Sequence, residues 1–123
     1  MPSAVETRQT AREEAATSVL AANRAAGRRV AIAESCTGGM VSVALTDIPG
    51  SSDVFSAGFI TYSADAKKRQ LDVSSEILET FGEVSLATAW AMAAGVLANS
   101  DADVAVSITG IAGPGGGSDK KPV

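Results

Sequence analysis

The stretch AESCTGG, residues 33–39, sets a serine, a cysteine and a threonine between an apolar run and a glycine pair. Three chemistries are open to Ser35: a nucleophile, the cap of a following helix, or part of a phosphate cradle. Position alone favours the cap, because a serine just before a helix most often accepts from its first free N–H groups. Thr109 stands in a matching place, at the end of an apolar run followed by glycines. If both runs are parallel strands, Ser35 and Thr109 face one crevice at the carboxyl edge of a sheet, where open α/β folds bind ligands. Lys67 and Lys68 follow Tyr62 closely. By default the lysines form a solvated helix face and the tyrosine is a half-buried strand residue. The segment GIAGPGGG fits neither the dinucleotide fingerprint nor the P-loop, although successive N–H groups in such a loop can cradle an anion.

Absent residues narrow the chemistry further. The chain has no histidine, which removes Ser-His-Asp and Cys-His catalysis, the usual zinc sites and the commonest base near neutral pH. A base must come from Lys, Tyr, Asp or Glu. The single cysteine, Cys36, cannot close an internal disulfide and reads as a small buried residue in a reducing compartment. With one thiol and no imidazole, no metal site is expected. The net charge of -4 argues against a nucleic-acid surface, which needs an excess of clustered Lys and Arg. No segment is long and apolar enough for a membrane span. The first residues mix both charge signs without an apolar core, unlike a signal peptide or presequence, so a cytoplasmic protein is expected.

The elements that must position these residues follow from periodicity. Ser3 to Glu6 has the capping-box pattern, and Ala15, Ala16, Val19, Leu20 and Asn23 recur at helical spacing before Gly27. Residues 29–33 (RVAIA) read as a strand, and MVSVALTDIPG after Gly38-Gly39 as a helix ending before Pro49-Gly50. Residues 54–62 read as a second strand in which Gly58 marks a bulge or a close approach. Helices are expected through residues 67–71, from a Ser74 cap to Gly82, and from Ser85 through ATAWAMAAGVLAN. Residues 103–109 (DVAVSIT) are apolar enough for a strand buried on both faces. The whole, residues 1–123, reads as a single α/β domain without repeats, and a three-stranded core is thin enough that a further strand is expected after the Gly-rich loop.

Taken together, AESCTGG, PGSS, GFITYS with a lysine five residues after its tyrosine, the VS that opens a helix, and ITGIAGPGGGS resemble the CinA C-terminal domain family of competence-damage-inducible proteins, whose stand-alone members are nicotinamide-nucleotide amidases. The resemblance runs from about residue 10 to the end, in order and spacing. It implies a three-layer α/β/α sandwich, here apparently truncated after the third strand and Gly-rich loop. It also implies hydrolysis of nicotinamide mononucleotide to nicotinate mononucleotide and ammonia, without a cofactor or metal. By the same resemblance Ser35 is the nucleophile and Tyr62 and Lys67 are its catalytic partners. Lys67 acts either as the base or as the charge that keeps Tyr62 acidic. Thr109 and Gly110 line the substrate pocket, and N–H groups near Thr37 and Gly38 hold the oxyanion or the substrate phosphate. Family members continue with further strands and a helix that carry a substrate-binding arginine. A chain without them is expected to expose a sheet edge and to form a homo-oligomer, most simply a dimer. The alternative function is a non-catalytic nucleotide-binding or regulatory domain.

Overall fold

The computed structural model describes residues 1–123. Helix α1 (Ala4–Ala26) opens with the capping box: the Ser3 hydroxyl accepts from the Glu6 N–H, and the Glu6 carboxylate accepts from the Ser3 N–H. It ends where Gly27 turns left-handed and returns its N–H to the helix. Strand β1 (Val30–Glu34), helix α2 (Met40–Thr46), strand β2 (Phe55–Ile60), helices α3 (Ala64–Leu71), α4 (Ser75–Phe81) and α5 (Leu86–Ala98), and strand β3 (Val104–Ile108) follow in that order. Serine caps at Ser63, Ser74 and Ser85 start α3, α4 and α5, each accepting from an N–H of the first turn.

The three strands form one parallel sheet in the order β2-β1-β3. Alternation along the central strand builds the two cores. Ala31 and Ala33 meet Leu71, Val73, Leu78, Met92 and Val96 from α3, α4, α5 and their connections. Val30 and Ile32 meet Ala16, Leu20, Leu45 and Val54 on the opposite face. The result is a layer of α1 and α2, the sheet, and a layer of α3, α4 and α5. Gly95 of α5 lets α3 approach so closely that an added Cβ would lie 2.8 Å from the Leu71 carbonyl carbon.

Of the two roles open to Gly58, the structure shows the close approach: a Cβ would come within 3.0 Å of the Ser42 hydroxyl, while the register shift falls between Val30 and Ala31, opposite Ser56. One expectation needs correction. Strand β3 is not buried on both faces: Val106 is 44% exposed. As an edge strand, β3 packs against α5 and β1, and Val104 and Ile108 reach the core beneath α1 and α2, while Val106 between them stays half open.

Candidate active site

The chain leaves β1 at Glu34 and Ser35, and strand alternation sends these side chains to opposite faces. Glu34 is fully buried beneath α2. Its carboxylate accepts from the Val41 and Ser42 N–H groups at 2.9 Å each, from the Thr37 hydroxyl at 2.7 Å and from the Ser42 hydroxyl at 2.6 Å. Helix α2 has Gly39 at its N-cap and no side-chain cap of its own, so Glu34 supplies from the strand what a capping serine supplies elsewhere. Burial opposes ionisation of Glu34, but the hydrogen bonds from Ser42, Thr37 and the two N–H groups outweigh it and hold the carboxyl below its usual value.

Ser35 therefore caps nothing. Its N–H donates to the Ile108 carbonyl at 3.0 Å, while the Thr61 N–H donates to the Glu34 carbonyl at 2.9 Å, so all three strand ends are tied together there. On the face away from α2, the Lys67 Nζ donates to the Ser35 Oγ at 3.0 Å, to the Thr61 carbonyl at 2.7 Å and to the Tyr62 carbonyl at 3.3 Å. Lys67 is completely buried. It lies on the same face of α3 as Leu71, one turn on, which packs into the core. Burial pushes the Lys67 amine below the ordinary lysine value, opposed in part by the Glu83 carboxylate 3.9 Å away and by Cys36.

A cavity of about 270 Å³ opens over Ser35, walled by Cys36, Tyr62, Glu83 and Val84 and by the segment from Thr109 to Ala112. The Thr109 hydroxyl donates to the Glu83 carbonyl at 2.9 Å, joining the end of β3 to the loop before α5. A Cβ on Gly110 would sit 3.3 Å from the Cys36 sulfur, so glycine keeps this wall open. Thr37 and Gly38 stand behind Ser35 and outside the cavity wall. The Thr37 hydroxyl is committed to Glu34, and the Gly38 N–H to the Ser35 carbonyl at 3.1 Å. The N–H groups of Cys36 and Thr37 donate to no acceptor within the chain. A next cavity of about 470 Å³ shares Val84, Thr109 and Gly110 and is edged by Ser85 and by Lys120 and Lys121.

Residues 12–123 match the family described as the CinA C-terminal domain. The chain belongs to this family. It is similar to a "Putative competence-damage inducible protein" of Caldicellulosiruptor bescii, 55% identical over 95 residues, covering 77% of this chain and 23% of that protein. It is also similar to a "CinA-like protein" of Mycobacterium avium, 54% identical over 104 residues, covering 85% of this chain and 24% of that protein. The chain thus spans about a quarter of the length of the curated relatives it matches. Among solved structures it is similar to the competence/damage inducible protein CihA from Agrobacterium tumefaciens, with a TM-score of 0.87 and 53% identity over 91% of this chain and 68% of that one. The competence damage-inducible protein A (ComA) from Klebsiella pneumoniae gives a TM-score of 0.86 and 38% identity over 90% and 69%.

Within this CinA domain the structure brings Ser35, Tyr62, Thr109 and Gly110 around one cavity, with the Lys67 amine buried against Ser35. The default reading of Lys67 as a solvated lysine is overturned. Its signal was the four-residue spacing to Leu71, outweighed by the second lysine beside it. Lys67 meets Tyr62 at the main-chain carbonyl, while the side chain stands 67% exposed at the cavity rim. Cys36 is half-buried and faces the cavity, contrary to the expectation of a buried packing residue. Sequence reasoning missed Glu34 and Glu83. Glu34 is an acid ending an otherwise apolar strand, which was a usable signal; Glu83 offered none. No helix is long and apolar enough to cross a membrane.

Proposed function

We propose that this CinA domain is a serine amidohydrolase in which Lys67 serves as the base, with nicotinamide mononucleotide as substrate. The observation that carries the reading is the buried Lys67 Nζ at 3.0 Å from the Ser35 Oγ. A serine hydroxyl is a weak nucleophile until a neighbouring base takes its proton, and a lysine serves once desolvation favours its neutral form. The arrangement is the serine-lysine variant of the nucleophile-base pair, here in a chain without histidine.

The Lys67 amine accepts the Ser35 proton as Oγ bonds to the carboxamide carbon. The carbonyl electron pair moves onto oxygen, and the uncommitted N–H group of Cys36, a residue of the cavity wall, is the candidate to receive that charge. Collapse of the tetrahedral adduct re-forms the carbonyl and breaks the C–N bond, while the Lys67 ammonium protonates the departing nitrogen, releasing ammonia. Water, deprotonated by the same amine, then cleaves the Ser35 ester to give the carboxylic acid and restore the serine. Tyr62 offers a flat wall for the pyridine ring. The adjoining cavity, edged by Lys120 and Lys121, offers two cations to a ribose phosphate carried by the nicotinamide. Ammonia release from nicotinamide mononucleotide by the wild-type chain and by Ser35→Ala tests the proposal. Release by the wild type alone is expected; equal release by both, or by neither, overturns it.

A further inference from the structure

Glu83 is the one carboxylate on the wall of the Ser35 cavity, and the pairing of serine and lysine leaves it without a role. The loop that carries it is fixed at several points. The Thr109 hydroxyl donates to the Glu83 carbonyl at 2.9 Å, and the Ser85 and Thr88 hydroxyls donate to the preceding Gly82 carbonyl at 3.0 and 2.6 Å. Its carboxylate is half exposed and stands 3.9 Å from the Lys67 Nζ, beyond hydrogen-bond reach, so the three near contacts of that amine go elsewhere. Across the same cavity stands the exposed Tyr62 side chain. A carboxylate and an aromatic face on one small cavity attract a flat cation and do nothing comparable for a neutral ring of the same shape.

Resting on the amidase reading, we infer that Glu83 is a specificity-determining residue that selects a positively charged heteroaromatic carboxamide, a pyridinium, over its neutral counterpart. The charge acts on the ring while Ser35 acts on the carboxamide, so recognition and reaction are carried by different groups. The carboxylate also disfavours the carboxylic acid formed by hydrolysis, which assists product departure.

The test uses two ligands of equal shape, 1-methylnicotinamide as the cation and 3-methylbenzamide as its neutral carbon isostere. Dissociation constants are measured by calorimetry on the Ser35→Ala chain, where no turnover intrudes. The cation is expected to bind about tenfold more tightly. Adding Glu83→Gln brings the ratio close to one, and adding Glu83→Lys inverts it. A ratio that neither substitution moves, equal binding of the two ligands, or no saturable binding of the cation overturns the inference. Ammonia release by the unmutated chain separates the two claims. Release with an unmoved ratio removes the role of Glu83 alone; no release with a Glu83-dependent ratio removes the amidase reading and leaves the charge selection standing.

Discussion

Lys67 is held in a position that favours chemistry over stability. Its ammonium form has lost water and gains only carbonyl and hydroxyl oxygens and a more distant carboxylate in return. Lys67→Met should therefore abolish measurable amide hydrolysis, with a loss of at least about 10²-fold as for removal of a general base. The same substitution should raise stability by about 1 kcal/mol, as replacing a buried charge with a matching apolar chain often does. The pH dependence follows from the sign of the shift. Because the folded value lies below the ordinary 10.5, the unfolded chain holds this proton more tightly, and stability rises with pH between the folded value and 10.5. The gap in Tm between Lys67→Met and wild type should be widest below the folded value and narrow as pH rises toward 10.5 in thermal melts. If the neutral Lys67 amine is the base, as proposed, rates should rise with pH along a limb centred below that value. Cys36→Ala should keep most of the activity, because the thiol lines the cavity but has no base of its own. Loss of turnover in a folded Cys36→Ala chain, seen in an ammonia assay, would move the nucleophile to sulfur.

At the scale of elements, Glu34 decides where α2 begins. Four donors converge on its buried carboxylate, so Glu34→Ala should cost at least about 1–3 kcal/mol, the penalty for a buried donor left without its acceptor. Glu34→Gln keeps acceptor capacity for some of these donors and should cost less. The Glu34 carboxyl titrates below 4.5 in the folded chain, so its contribution is complete above 4.5 and is lost as pH falls through the folded value. Urea unfolding should accordingly show wild type losing stability on acidification more steeply than Glu34→Gln. Gly95 plays the corresponding part between α3 and α5. A methyl group there meets the backbone of Leu71, so Gly95→Ala should destabilise by about 1–3 kcal/mol. It should also lower turnover, because Leu71 is one turn from Lys67 and α3 must shift to relieve the clash. These element-level features differed in how well they could be read. The caps Ser3, Ser74 and Ser85 act on N–H groups within a few residues and were visible as local patterns. The cap of α2 comes from Glu34, across a turn whose geometry is not written in any short motif.

At the scale of the whole chain, exposed apolar side chains recur on several elements, among them Met40 and Val43 on α2 and a group on α5 and β3. Leu86, Trp90 and Leu97 on α5 are exposed at 91%, 74% and 45%, and β3, which packs on α5, is a sheet edge with Val106 half open. Such an edge pairs readily with another strand. Sedimentation velocity should show concentration-dependent self-association, and Trp90→Glu should shift the chain toward monomer; unchanged sedimentation of Trp90→Glu would place the contact elsewhere. At this scale the division between sequence and tertiary structure is plain. The order of helices and strands, the α/β class and the placing of Ser35 and Thr109 at strand ends followed from periodicity and from glycines and serines acting on near neighbours. The absence of histidine restricted the base to a few residue types, and the motifs together pointed to the family. What the sequence could not decide by itself was which face each side chain takes and what it meets there. Lys67 reaches Ser35 because α3 packs against the sheet through Leu71; Glu34 turns away from Ser35 because neighbours on a strand point oppositely. Glu83 enters the cavity because β3 and the loop before α5 meet at Thr109. Each of these contacts joins residues distant along the chain, or neighbours parted by a sheet, and only packing of the layers sets such distances.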